Sequence, residues 1–210
     1  MNTPFNFHLT QFSNEAEILR YEVREFLSDA LKDISKETRA ETWYGADEEF
    51  SKKVGKKGWI GLNWPKEYGG AGRSAMERYV ILEEMLTAGA PVGAHWISDR
   101  QSGPLIIRYG TEKHQKELLP GILKGESYFC IGMSEPDSGS DLAALRTKAE
   151  KKDNIYIVNG TKLWTSGAHR CQYMIACFRT SQEEDRHGGL SQFIVDLSLP
   201  GITIRPIIDL

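Results

Sequence analysis

Two short stretches carry side chains whose types and spacing suit chemistry. Ser134-Glu135-Pro136-Asp137-Ser138-Gly139-Ser140-Asp141 concentrates small hydroxyls, acids and turn formers, and such a run is not regular structure. Asn159-Gly160-Thr161-Lys162-Leu163-Trp164-Thr165-Ser166-Gly167 sets an indole beside two hydroxyls. The first comes after an apolar run, Tyr128 to Met133, that reads as a buried strand. The second comes after Ile155 to Val158, with a turn at Asp153-Asn154 before it and a strong hairpin signal at Asn159-Gly160. Leu163 and Trp164 then predict a further strand, broken at Ser166-Gly167. Two hydroxyl-tipped strand ends facing one another suit a flat polar ligand, with hydroxyls and backbone N–H groups on its edge and an indole on its face. Glu135 and Asp141 are the tempting carboxylates, but a loop brace and a turn cap are simpler roles for acids so placed.

The elements that must hold these stretches are helices first and strands later. Asn14 and Glu17 read as a capping pair, and Leu19, Val23, Phe26, Leu27, Ala30, Leu31 and Ile34 recur at helical spacing to about Lys36. Ser35 to Ala46 reads as a polar loop. Asp47 caps a short helix with Phe50 and Val54 inward, closed by Gly58. Gly58 to Ser74 is a glycine-rich loop pinned by Trp59, Trp64 and Tyr68. Ser74 and Glu77 form a capping box before a helix whose inner face reads as Tyr79, Leu82 and Leu86. Gly93 to Gln101 reads as helical. Pro104 opens or kinks the segment after it, where Leu105, Ile106, Ile107 and Tyr109 look core-like. Thr111 caps a last helix carrying Leu118, Leu119, Ile122 and Leu123, stopped at Gly125. From there period-two, β-branched patterning takes over, with strands at Tyr173–Phe178, Leu190–Leu197 and Ile202–Ile207.

This order gives an α+β fold: an all-helical domain over 1–126, then an antiparallel, β-barrel-like domain over 127–210, with the boundary near Gly125 to Tyr128. No strand–helix alternation and no G-x-G-x-x-G favours a dinucleotide-binding sheet. The 210 residues are 40% hydrophobic and 26% charged, the balance of a globular protein. The net charge of -3 carries no basic footprint for nucleic acid or an anionic membrane surface. The opening MNTPFNFHLT lacks the basic and apolar regions of a secretory signal, and no apolar run approaches the ~20 residues of a membrane span. Cys130, Cys171 and Cys177 have no C-x-x-C spacing and read as reduced, buried thiols of a cytoplasmic protein. The five histidines are too scattered to suggest a metal site.

The sequences SEPDSGSDLAALRTKAE and NGTKLWTSGA together resemble the flavin-binding middle domain of the acyl-CoA dehydrogenases, whose pattern is T-E-P-x-x-G-S-D and then N-G-x-K-x-W-[IT]-[ST]. The loop GWIGLNWPKEYGG is similar to the family's connection between two early helices. The resemblance implies FAD as cofactor and an acyl-CoA thioester as substrate, dehydrogenated between its α and β carbons to a trans-2-enoyl-CoA. It implies an electron-transfer flavoprotein as acceptor and a homo-oligomer, a dimer or tetramer. It assigns Ser134 and the backbone of Ile131, Gly132 and Met133 to the pyrimidine edge of the isoalloxazine, and Ser166, beside Thr165, to its N5–O4 edge. Trp164 would cover the ring face away from substrate, Gly139 and Ser140 would lie at the cofactor, and Ser140 would also face the CoA arm. Trp96 and Gln101, on a helix that borders the family's acyl pocket, would shape specificity, although one packed tryptophan and a surface glutamine are the simpler account of them.

The pattern is met with departures. Ser134 and Ser166 stand where many members have threonine, and Trp164-Thr165-Ser166-Gly167 replaces the usual Ile-Thr-Asn-Gly environment, leaving one amide fewer near the ring. Such variants occur among members acting on bulky or steroid side-chain substrates. The family's base is a carboxylate on a third, all-helical domain, expected beyond Leu210, so the resemblance assigns no catalytic residue to this chain. The alternatives are an oxidase-like flavoprotein, a non-catalytic partner subunit of a mixed assembly, or a domain without ligand.

Overall fold

A computed structural model describes residues 11–207; the opening decapeptide lies outside them. Helix α1 (Asn14–Ala30) starts on Ser13, whose hydroxyl accepts from the Ala16 N–H, and buries Leu19, Val23 and Leu27. The cap is thus one residue earlier than Asn14. The helix also stops before Lys36, because Ser35 caps a new helix, α2 (Lys36–Ala40), inside the segment predicted to be loop. A 3-10 turn at Thr42–Tyr44 comes next. Asp47 then caps α3 (Glu48–Lys56) as expected, and Gly58 ends it at φ 70°.

Trp59 and Trp64 are buried and pin the glycine-rich loop, as the sequence predicts. The Ser74–Glu77 capping box opens α4 (Ala75–Thr87), but its buried face is Val80, Ile81, Glu84 and Met85, while Tyr79 and Leu86 are exposed. The face rotates because Glu84 goes inward to meet Arg24 at 2.7 Å and Arg20 at 2.6 Å, both from α1. Helices α5 (Gly93–Ile97) and α6 (Gly103–Tyr109) are joined by a π-helical turn, Ser98–Ser102. That bulge fits two close approaches. A Cβ on Gly103 would lie 2.0 Å from the Trp64 ring, and the Gly61 N–H donates to the Asp99 carboxylate at 2.8 Å. Ile106 is buried, whereas Tyr109 ends its helix facing solvent with Arg108 over its ring. Helix α7 (Glu112–Leu123) is capped by Thr111 and stops at Gly125, φ 69°.

Five strands complete the described residues: β1 (Phe129–Gly132), β2 (Lys148–Lys152), β3 (Ile155–Asn159), β4 (Tyr173–Arg179) and β5 (Leu190–Asp196). They form one sheet in the order β1-β4-β2-β3, with β5 also on β4. The helices-then-sheet architecture is as predicted, but the sheet is mixed: β1 and β2 both meet β4 in parallel, while β2–β3 and β4–β5 are antiparallel. Parallel pairing arises because β1 and β4 are separated by the whole functional segment rather than by a turn. The hairpin turn is Asp153-Asn154, with Asp153 at φ 53°; Asn159-Gly160 instead carries the chain out of the sheet. Ile202–Ile207 forms no strand, since nothing among the described residues pairs with it. Phe129 and Ile175 join Leu19, Phe50, Trp59 and Ile106 in one core, so the sheet packs directly on the helices. The three cysteines are free, Cys130 and Cys177 buried and Cys171 half-exposed rather than buried. No described helix is long and apolar enough to cross a membrane, and no His/Cys/Asp/Glu cluster among the described residues is arranged to hold a metal.

Candidate cofactor and substrate site

Strand β1 delivers the first stretch. Its last residue is glycine because Met174 on β4 lies where a side chain would go, with the sulfur 2.5 Å from the position of a Cβ. Met133 and Ser134 come next, half-buried. The chain then closes a tight turn: the Glu135 N–H donates to Ser138 O at 2.7 Å and the Ser138 N–H returns to Glu135 O at 3.1 Å, with Pro136 at the second position. The Ser138 hydroxyl donates to Asp141 O at 2.9 Å, which leaves Gly139 and Ser140 exposed at the tip. Asp141 does not cap through its side chain. It pairs with Arg186 from the β4–β5 loop, and that hydrogen bond holds its carboxyl below the usual range. Glu135 braces the loop as expected: its carboxylate accepts from the backbone N–H groups of Arg146 (2.6 Å) and Thr147 (3.1 Å) and from Lys162 (2.8 Å). Burial pushes its pKa up, but the donors from Lys162, Thr147 and Arg146 outweigh burial and bring it down to about 2.

The second stretch is brought across by one backbone bond, Leu163 N–H to Ser134 O at 2.8 Å. There is no strand at Leu163–Trp164 because Trp164 adopts φ 59°, a conformation that a bulky L-residue rarely takes. The indole is thrown outward and is 68% exposed. The chain turns again through the Ser166 N–H to Trp164 O bond (3.0 Å) and Gly167 at φ 74°. Ser166 is exposed beside it, and the Thr165 hydroxyl is buried without a hydrogen-bond partner among the described residues.

The Leu163–Ser134 bond thus lays the start of the Trp164–Ser166 turn beside the strand end Ile131–Ser134. A crevice opens between the turn after Trp164 and the helices, lined by Tyr44, Gly93, Ala94 and Ile97 on one side and Ser166, Gly167 and Arg170 on the other; Ser134, Trp164 and Thr165 are not among its lining residues. The Arg170 guanidinium stands 4.4 Å over the Tyr44 ring and spans it. Trp96 and Gln101 are not among its lining residues; Trp96 packs on Trp43 at 6.3 Å under Arg100, and Gln101 is exposed on the π turn. Sequence reasoning misses Tyr44, which it sets in a loop, and Arg170. It also gives Lys162 no role, although that residue stands inside the second motif.

These residues fit a flavin ring by their chemistry. An orphaned buried hydroxyl, an exposed one and an exposed indole stand on three consecutive residues, and a buried hydroxyl without a partner is costly unless something bonds to it. Family models for the acyl-CoA dehydrogenase N-terminal domain and the acyl-CoA dehydrogenase middle domain match residues 13–126 and 130–209. The chain belongs to the acyl-CoA dehydrogenase family.

Within that family it is 36% identical over 195 residues to acyl-CoA dehydrogenase FadE29 of Mycobacterium tuberculosis, covering 92% of this chain and 50% of the relative. It superposes on a steroid ACAD, Tcur3481-Tcur3483, with a TM-score of 0.85 at 37% identity, covering 94% of this chain and 51% of the other. The ChsE4-ChsE5 complex from Mycobacterium tuberculosis gives 0.85 at 35%, covering 96% and 52%. A glutaryl-CoA dehydrogenase from Mycobacterium smegmatis in complex with FADH2 gives 0.78 at 26%, covering 94% and 49%. The chain therefore spans about half the length of the acyl-CoA dehydrogenases it matches.

Proposed function

We propose that this chain supplies the isoalloxazine cradle of an FAD-dependent acyl-CoA dehydrogenase that converts an acyl-CoA thioester to a trans-2-enoyl-CoA and passes electrons to an electron-transfer flavoprotein. The observation that carries the reading is the Leu163–Ser134 backbone bond, which lays the Ser134 strand end beside the turn that holds the outward indole of Trp164 and the partnerless Thr165 hydroxyl. Bound there, FAD supplies the hydride acceptor that no amino-acid side chain provides. Ser134 and the Ile131–Met133 backbone hold the pyrimidine edge, Ser166 donates at the N5–O4 edge, and Trp164 covers one ring face against water. Gly139 and Ser140, at the tip of the turn, lie toward the CoA arm. Trp96 and Gln101 stand back from the crevice, so any influence on the acyl group passes through Trp43 and the α5 backbone.

The substrate class favoured is a CoA thioester of a bulky, ring-bearing acid, on the 37% identity to the steroid ACAD. The assembly is an oligomer, homomeric in the leading reading. A second reading, a partner subunit in a mixed assembly, is favoured by the likeness to the ChsE4-ChsE5 complex. Titrating FAD into the protein and following flavin fluorescence tests the cradle. Saturable quenching is expected, and Ser134→Ala or Ser166→Ala should each weaken affinity about fivefold, the worth of one neutral hydrogen bond. No quenching, or no effect of either substitution, would overturn the assignment.

A further inference from the structure

Among the described residues, Lys162 carries the buried side-chain charge that ties the two halves of the cradle together. Its ammonium donates to Met133 O at 3.0 Å and to the Glu135 carboxylate at 2.8 Å, and the Lys162 and Glu135 side chains are 8% and 7% exposed. The ammonium also stands 5.5 Å over the Phe178 ring, in the sheet's own small apolar cluster with Ala149 and Ala176. A buried ion pair is a poor device for stability alone, because desolvation cancels most of its attraction and apolar residues of similar volume serve as well. It does fix geometry. Three consecutive groups of one stretch (Met133 O, Ser134 O and the Glu135 carboxylate) are bound by two consecutive residues of the other, Lys162 and Leu163.

Packing alone does not hold this loop. Behind Glu135 lies an open cavity of about 170 Å³, lined by Pro136, Arg146, Thr147 and Gly160 among others. The next residue but one after Lys162 is Trp164, in its left-handed conformation. A bulky residue keeps such a backbone only where its neighbours over-determine it; here Lys162 and Leu163 hold its N-terminal side and the Ser166 N–H, bonded to Trp164 O, holds the other.

We propose that Lys162, held by Glu135, is the positioning residue of the cradle: it locks the Ser134 strand end to the Trp164 turn and so sets where the indole and the Ser166 hydroxyl stand. This deepens the flavin reading and rests on it. The ammonium is committed to the Met133 carbonyl and the Glu135 carboxylate, so it acts on the Trp164 turn through the backbone.

The test uses wild type, Lys162→Met and the double variant Lys162→Met/Glu135→Gln of the whole chain, with three measurements: melting temperature, amide hydrogen exchange at Leu163, and FAD affinity by fluorescence quenching. Lys162→Met should lower the melting temperature, speed Leu163 exchange and weaken FAD binding roughly ten- to a hundredfold, the worth of a charge-assisted hydrogen bond. The double variant removes the orphaned charge, so its melting temperature should recover while FAD affinity and Leu163 protection stay low. Recovery of affinity together with stability would show the pair to be structural only and overturn the proposal. Unchanged Leu163 protection in Lys162→Met would overturn it whether or not flavin binds. Should wild type fail to bind FAD while Leu163 exchange responds as expected, the flavin reading falls and the lock between the two stretches stands.

Discussion

His95 shows how a single buried side chain ties this fold to pH. Its ring is buried, with Nδ1 2.8 Å from the Ser51 hydroxyl. Burial lowers its pKa to about 4, against the opposing pull of Asp99. A histidine depressed in the folded state is neutral there while the unfolded chain takes up a proton below its ordinary 6.5. Stability is therefore intact above pH 6.5 and lost as pH falls from 6.5 to 4, by up to about 3 kcal/mol. Urea unfolding at pH 7, 5.5 and 4 should show that slope, and His95→Asn should flatten it; an unchanged slope in the variant would assign the acid sensitivity elsewhere. Glu135 acts in a lower window. Held at about 2, it contributes above its unfolded value near 4.5 and loses that contribution between 4.5 and 2, so the two groups separate on the pH axis. The bracing role of Glu135 is legible in the sequence, but neither burial is, since His95 is there one scattered histidine and Glu135 one acid in a loop. Distant elements create both.

At the scale of elements, the sequence makes legible whatever local chemistry decides. Ser74, Asp47 and Thr111 cap the helices they are expected to cap, because a hydroxyl or carboxylate three residues before a free N–H needs no tertiary information. Features set by long-range pairs stay hidden. Periodicity alone misplaces the inner face of α4 because Glu84, a residue it sets outside, is drawn inward by Arg20 and Arg24. Glu84→Gln should thus cost about 2 kcal/mol by leaving Arg24 without its carboxylate and Arg20 with only Glu83 and Glu17, measurable by chemical denaturation. A loss below about 1 kcal/mol would mean that solvent already screens the cluster. The Trp164 turn is the second such case, where sequence pattern predicts a strand and the Leu163–Ser134 bond makes a left-handed turn. At φ 59° glycine is favoured over alanine by about 1 kcal/mol, so Trp164→Gly should unfold at higher denaturant than Trp164→Ala. Both should lose the indole's quenching of bound flavin. Equal stability of the two variants would show that the backbone relaxes out of this conformation.

For the whole molecule, the helices and sheet share one core, yet the face that would meet substrate is one-sided. Dehydrogenation α,β to a thioester requires a base at the α-carbon, within hydrogen-bond reach of the proton it removes. No carboxylate stands among the described residues lining the crevice. The buried acids are already committed: Glu84 to Arg20 and Arg24, Asp99 to Arg78 and the Gly61 N–H, and Glu135 to Lys162 and two backbone donors. Asp141 is occupied by Arg186 and Asp137 by Arg146. This chain should therefore bind FAD without turning over an acyl-CoA. The measurement is anaerobic: FAD bound to the 210-residue chain, an acyl-CoA added in excess, and the oxidised-flavin absorbance followed. An unbleached band is expected across short, long and ring-bearing acyl groups. Bleaching that survives Glu135→Gln, Asp137→Asn and Asp141→Asn would reveal a base among residues to which the geometry assigns none, whereas bleaching lost with one of them would identify that acid and break the pairing described for it.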